Sequence, residues 1–164
     1  MALSMDQRLS APDRVRAALA AAGVAARVDE FASSTRTAQD AANAVGTSVG
    51  QIVKSLVFLG GEAPVLALVS GANQLDPARL AALTGVAIGK ADADVVRQAT
   101  GYAIGGVPPI GFPAPIPTFI DRDLLQYDVV WAAAGTPRHV FPIAPVDLVR
   151  ITGGRVVDLK SAHG

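Results

Sequence analysis

The pattern of apolar and polar positions along this chain switches between two periods. Gln51 to Leu59 reads Gln-Ile-Val-Lys-Ser-Leu-Val-Phe-Leu and Pro64–Val69 is as apolar. Short apolar runs rich in β-branched residues and bounded by turn residues predict buried strands. The Gly60-Gly61 pair between them predicts a hairpin turn. Elsewhere the spacing is helical. Val15, Leu19 and Ala22 form one stripe of Ala11–Ala22, with Pro12 in the first turn and Gly23 as the stop. Thr37, with Asp40 three residues on, resembles a capping box that opens Ala38–Val45, and Gly46 ends it. Asp76-Pro77 opens a further helix that Gly85 closes, and Asp92 or Asp94 opens one that stops at Thr100-Gly101. Pro145–Ile151 is the last.

Further strands are predicted at Val24–Phe31, Val86–Gly89, Thr118–Asp121, Asp128–Ala133, Val140–Ile143 and Arg155–Leu159. Tyr102–Pro117 is a long loop holding five prolines. Helices mixed with hairpins argue for a mixed α/β sheet rather than a strict βαβ repeat. No repeat, linker or low-complexity tract divides the chain, so residues 1–164 are expected to form one domain.

Composition narrows the function classes. The chain is 51% hydrophobic with aromatics at 5%, so its core is built from small aliphatic groups. Net charge is zero, and any nucleic-acid contact must come from a local patch rather than a global positive field. Cysteine is absent, which removes disulfides, thiol nucleophiles and thiolate-bound metals and fits a reducing compartment. No apolar run reaches the roughly 18 residues of a membrane span. A cytoplasmic, soluble protein is expected.

Lys54 is then the most informative residue. Side chains alternate along a strand, so Ile52, Lys54, Leu56 and Phe58 share one face and Val53, Ser55, Val57 and Leu59 the other. Both faces are mostly apolar, and an ammonium on either must be paired or line a pocket. The plain alternative is an edge-strand lysine that deters aggregation or snorkels to water. The only other lysines, Lys90 and Lys160, occupy polar or terminal positions.

Two loops add to this. Gly101-Tyr102-Ala103-Ile104-Gly105-Gly106-Val107-Pro108-Pro109-Ile110-Gly111-Phe112 combines glycines, which admit close backbone approach, with prolines that stiffen it. Such a loop can aim backbone N–H groups at a carbonyl or phosphate oxygen, or be a rigid crossover without chemistry. Gly135-Thr136-Pro137-Arg138-His139 follows an apolar strand, and its Arg138 and His139 suit a phosphate and a ribose or substrate group; a solvated turn is the alternative. His163 lies in the C-terminal tail and is expected to be inert. There is no Gly-x-Ser-x-Gly elbow and no His-rich metal spacing, so no metal and no cofactor are expected. Most aspartates fall at helix starts, where capping explains them; Asp121 and Asp128 border strands and stay candidate site residues, with a turn role favoured for both.

In order, these segments resemble the YbaK/prolyl-tRNA-synthetase-associated domain family of free-standing trans-editing aminoacyl-tRNA deacylases. Thr35-Arg36-Thr37-Ala38-Gln39-Asp40-Ala41-Ala42 with Gly46 resembles the family's early helix, and Gln51–Phe58 its lysine strand. Leu75-Asp76 through Leu83 and Ala91-Asp92 resemble its middle helices, Gly105–Pro109 its GxxxP loop, and Gly135–His139 with Leu148–Gly153 its C-terminal part.

The resemblance implies a curved, partly barrel-like mixed sheet flanked by helices. It implies hydrolysis of the ester between a wrong amino acid and the 3′-terminal adenosine of a tRNA, tRNA-Pro being the first candidate, with a prolyl-tRNA synthetase as a possible partner. The substrate's own hydroxyl or thiol would assist the reaction, and the protein would position and polarise. On that reading Lys54 contacts the terminal phosphate or another substrate oxygen, Gly105, Gly106 and Pro109 hold the carbonyl, and His139 fixes the adenosine or amino acid. Ser55, Arg138, Thr37 and Phe31 complete the expected substrate contacts. Some cysteine-editing members carry a tyrosine near Glu30 or Phe31 and an acidic residue near His139, and alanine-editing members often place Asn where Ser55 stands; this chain matches neither pattern. A non-catalytic tRNA- or synthetase-binding module on the same fold is the rival reading.

Overall fold

A computed structural model describes residues 9–162, and the caps read from the sequence bound most of its elements. In chain order these are α1 (Ala11–Ala21), β1 (Asp29–Glu30), α2 (Ala38–Val45), β2 (Val53–Gly60), β3 (Ala63–Ser70), α3 (Pro77–Thr84), β4 (Ile88–Lys90), α4 (Ala93–Thr100), β5 (Thr118–Asp121), β6 (Val130–Ala133), β7 (His139–Ile143), α5 (Pro145–Thr152) and β8 (Arg155–Val157). Short 3-10 turns at Val49–Gln51 and Arg122–Gln126 went unpredicted. Side chains of Ser10, Thr37, Asp76 and Asp92 accept N–H groups at the starts of α1, α2, α3 and α4, each satisfying a donor the helix leaves open.

The strands form two sheets. One is mixed, in the order β4-β2-β3-β5-β8, with β3–β5 and β5–β8 parallel. The other is antiparallel, β1-β7-β6. A single parallel bridge, Ile52 to Trp131, joins them. No ladder among the described residues closes the far side, so the expected barrel-like sheet is in fact two sheets about one core.

The surroundings of β3 explain why Pro64–Val69 is apolar at every position. Leu66 and Leu68 enter the main cluster between the sheets with Val15, Leu19, Ile120, Phe141 and Leu148. Val65, Ala67 and Val69 face the opposite side, against Leu80, Phe119 and Leu159. A strand covered on both faces must be hydrophobic on both.

Some boundaries move. Val24, Ala26 and Val28 pack against the core in alternation, but no strand pairs with the backbone until Asp29, so the predicted Val24–Phe31 strand shrinks to two residues. Gly60 is the last paired residue of the hairpin, opposite Ala63, and the turn residues are Gly61 and Glu62. His163 lies outside the described residues.

Candidate functional site

β2 is paired along its whole length with β3, but on its other side β4 reaches only Phe58–Gly60 and the Trp131 bridge only Ile52. Between those points the β2 edge has no strand partner, and a cavity of about 330 Å³ opens against it. Its walls come from four places: the start of α2 (Thr35–Ala38), β2 (Ile52–Leu56), the glycine loop (Ile104, Gly105, Val107) and the β6–β7 turn (Thr136, Pro137, His139). A second groove, of about 290 Å³, lies behind the loop, between Pro109–Ile116 and the end of α5. None of its lining side chains is ionisable, whereas the first holds Lys54, Arg36 and His139.

Lys54 is half-buried, and its Nζ donates to the main-chain oxygen of Asn73. Burial pushes its pKa below the ordinary lysine value, and the charge of Asp121 opposes that shift. A lysine held in this way neither snorkels to water nor guards an exposed edge. Ser55 occupies the other face of β2, and its Oγ is buried without a hydrogen-bond partner. Leaving a hydroxyl unpaired in this way costs about 1–3 kcal/mol, a cost that a ligand accepting or donating one bond would remove.

The loop glycines divide their work. Gly105 lines the cavity at φ +90°, a left-handed conformation that disfavours any side chain, and its N–H has no partner among the described residues. Gly106 is scaffold. Its N–H donates to Ala103 O at 3.0 Å, and its oxygen accepts from Gly135 N–H at 3.0 Å. A Cβ on Gly106 would stand 2.6 Å from Thr136 Cα and 2.7 Å from Gly135 O, so the two loops approach this closely only without a side chain.

His139 is committed at both ring nitrogens. Nε2 lies 2.9 Å from Glu30 Oε2, and Nδ1 lies 2.6 Å from Thr136 Oγ1. Thr136 Oγ1 also accepts from Arg138 N–H at 3.1 Å, which fixes the hydroxyl beside the ring. The chain therefore does hold an acidic residue beside His139. Register between β1 and β7, which sets Glu30 opposite His139, brings it there from a distant part of the sequence.

The remaining expected residues scatter. Thr37 lines the cavity while capping α2, accepting from Asp40 N–H at 3.0 Å. Arg138 and Phe31 lie behind the wall: the Arg138 guanidinium donates to Phe31 O and Ala32 O at 3.2–3.3 Å. Pro109 is buried on the side of the second groove, not the first. Arg36, expected with Lys54 and Arg138 as a phosphate contact, stands exposed at the mouth, and its guanidinium has no protein partner among the described residues.

Known proteins resemble this chain in sequence and fold. A crystal structure provisionally described as a trans-editing enzyme for prolyl tRNA synthetase is 48% identical, covers 98% of this chain and 100% of its own, and superposes with a TM-score of 0.89. EbsC of Enterococcus faecalis, provisionally named a Cys-tRNA(Pro)/Cys-tRNA(Cys) deacylase, is 29% identical over 127 residues, 76% of this chain and 77% of that protein. A proline--tRNA ligase of Streptococcus sanguinis is 28% identical over 129 residues, which make up 78% of this chain and 21% of the ligase. The family model of the aminoacyl-tRNA editing domain matches residues 32–151, a span that contains every residue lining the Lys54 cavity, and the chain belongs to that family.

Proposed function

We propose that the chain is a trans-editing hydrolase that removes a mischarged amino acid from the 3′-terminal adenosine of a tRNA, with tRNA-Pro the first candidate. The observation that carries this reading is the cavity at the unpaired β2 edge, which sets a cation, an unpartnered hydroxyl and an unpaired glycine N–H around one space. These groups suit an aminoacyl ester. The ammonium of Lys54 meets the terminal phosphate or another substrate oxygen, and the Gly105 N–H stands where a carbonyl oxygen gains charge. Ser55 Oγ takes a polar group of the aminoacyl moiety, and Arg36 takes a backbone phosphate at the mouth.

Water adds to the ester carbonyl, the C–O bond to the ribose breaks, and the ribose oxygen leaves with a proton, giving free amino acid and uncharged tRNA. Among the described residues that line the cavity, none offers a free base to the water. Lys54 serves as a cation, and the imidazole of His139 is occupied on both sides. A tRNA ribose hydroxyl or a group of the amino acid therefore assists, while the protein positions and polarises. His139, Thr136 and Glu30 fix the wall against which the substrate is set.

The test is direct. Purified protein is incubated with tRNA-Pro charged with cysteine, alanine, serine, threonine or proline, and release of each amino acid is followed. Release of at least one wrong amino acid with proline retained is expected. Binding of tRNA without release of any would favour the non-catalytic module.

A further inference from the structure

Asp121 is fully buried at the end of β5, and the proposed chemistry makes no use of it. Its carboxylate accepts three N–H groups: Ser70 N at 3.1 Å, Asn73 Nδ2 at 2.8 Å and Asp123 N at 3.0 Å. Hydrogen bonds alone do not settle a buried charge, which calls for an opposite one nearby. Lys54 is the cation whose charge Asp121 favours. The two are nonetheless not in contact, since no carboxylate among the described residues forms an ion pair with Lys54.

Asn73 stands between them. Its side-chain amide bridges Asp121 Oδ2 and Asp123 Oδ2, both at 2.8 Å, and its N–H donates to Ser70 O at 2.9 Å. Held on these sides, it presents a fixed carbonyl to one N–H of the Lys54 ammonium. An ammonium has three donors, so two remain unengaged by protein. A direct ion pair would have turned the charge away from the cavity. A neutral acceptor with the carboxylate set behind it leaves the charge available.

Resting on the deacylase reading of this cavity, we infer that Asn73 and Asp121 are positioning residues for Lys54, the carbonyl of one fixing the ammonium and the carboxylate of the other balancing its charge from a distance. Other charged groups around Lys54 are already placed: Arg36 and His139 line the same cavity, His139 against Glu30, while Asp123, Lys160 and Arg122 lie behind Asp121.

The full chain contains three lysines, Lys54, Lys90 and Lys160, so lysine labelled with 13C at Cε gives three resolvable titrations by NMR. In the parent protein the Lys54 signal is expected to titrate below the ordinary lysine value. Asp121→Asn removes the balancing charge, and the Lys54 midpoint is then expected to move to lower pH, with the alkaline limb of kcat/KM for deacylation moving the same way. Asn73→Ala, which frees the carbonyl from its side-chain anchors, is expected to move the midpoint in the same direction by less. An unchanged Lys54 midpoint in either folded variant would overturn the inference. So would failure of both variants to fold, which would make the network a requirement of the core. The titration uses no tRNA, so a shifted midpoint in a protein without deacylase activity would uphold the bracket and reject only the deacylase reading.

Discussion

Lys54 sits where burial works against its own charge, and activity should inherit that conflict. If the ammonium form is the working one, deacylation falls as the pH rises through the Lys54 pKa. Burial has lowered that pKa from 10.5, so the alkaline limb of kcat/KM should lie below the pH at which an ordinary lysine titrates. A limb at or above 10.5 would separate Lys54 from the chemistry. Ser55 makes a second prediction, because its hydroxyl is buried and unpaired in the free protein. Ser55→Ala should leave thermal stability unchanged or raise it by about 1 kcal/mol, yet lift KM about fivefold for the loss of one hydrogen bond to substrate. A destabilised variant with normal KM would reverse both halves of that argument. Lys54 was legible in the sequence because a charge inside an apolar run is a local anomaly. Glu30 and Asn73 were not, and Asp121 only as a carboxylate bordering a strand, because each acquires its meaning from strand register or loop contact with residues far along the chain.

Between elements, the glycine loop and the β6–β7 turn approach each other closely beside the site. Gly106→Ala would drive a methyl group into Thr136 Cα and Gly135 O, both backbone atoms that cannot swing aside. Overpacking of this kind costs about 1–3 kcal/mol, and here the strain opens the cavity wall as well. Thermal stability and kcat should fall together, and a neutral Gly106→Ala would show that the loops are not locked. Helix starts were readable because each cap is a local hydrogen bond, as Thr37, Asp76 and Asp92 show. Val24–Phe31 was over-read because alternating side-chain burial does not make a strand without a paired backbone, and only Asp29 and Glu30 join a ladder. Pro109 was assigned to the site with its loop, but the chain turns between Gly105 and Pro109, and the two ends face different cavities.

Across the whole molecule, zero net charge limits how a polyanion can be held. The cavity mouth offers Arg36 and Lys54, and Arg138 is already engaged with carbonyls. With so few phosphates neutralised, log K against log salt should have a shallow slope of about −1 to −3, and free-standing affinity should be micromolar or weaker unless a synthetase delivers the substrate. A slope near that of six phosphate contacts would require a basic track elsewhere on the surface. The mixed α/β class was visible from the alternation of helical and strand periods, but the split into two sheets was not. The gap along the β2 edge, which is where the site lies, arises because β4 covers only three residues of β2, a long-range fact with no sequence signature. On the proposed reading, this gap performs ester hydrolysis through the Lys54 cation. Single-turnover deacylation of a mischarged tRNA by the parent protein and by Lys54→Ala, with both confirmed folded, tests it most directly. Loss of about 3 kcal/mol of transition-state stabilisation, on the order of 100-fold in rate, is predicted for Lys54→Ala; full activity in a well-folded Lys54→Ala protein would contradict it.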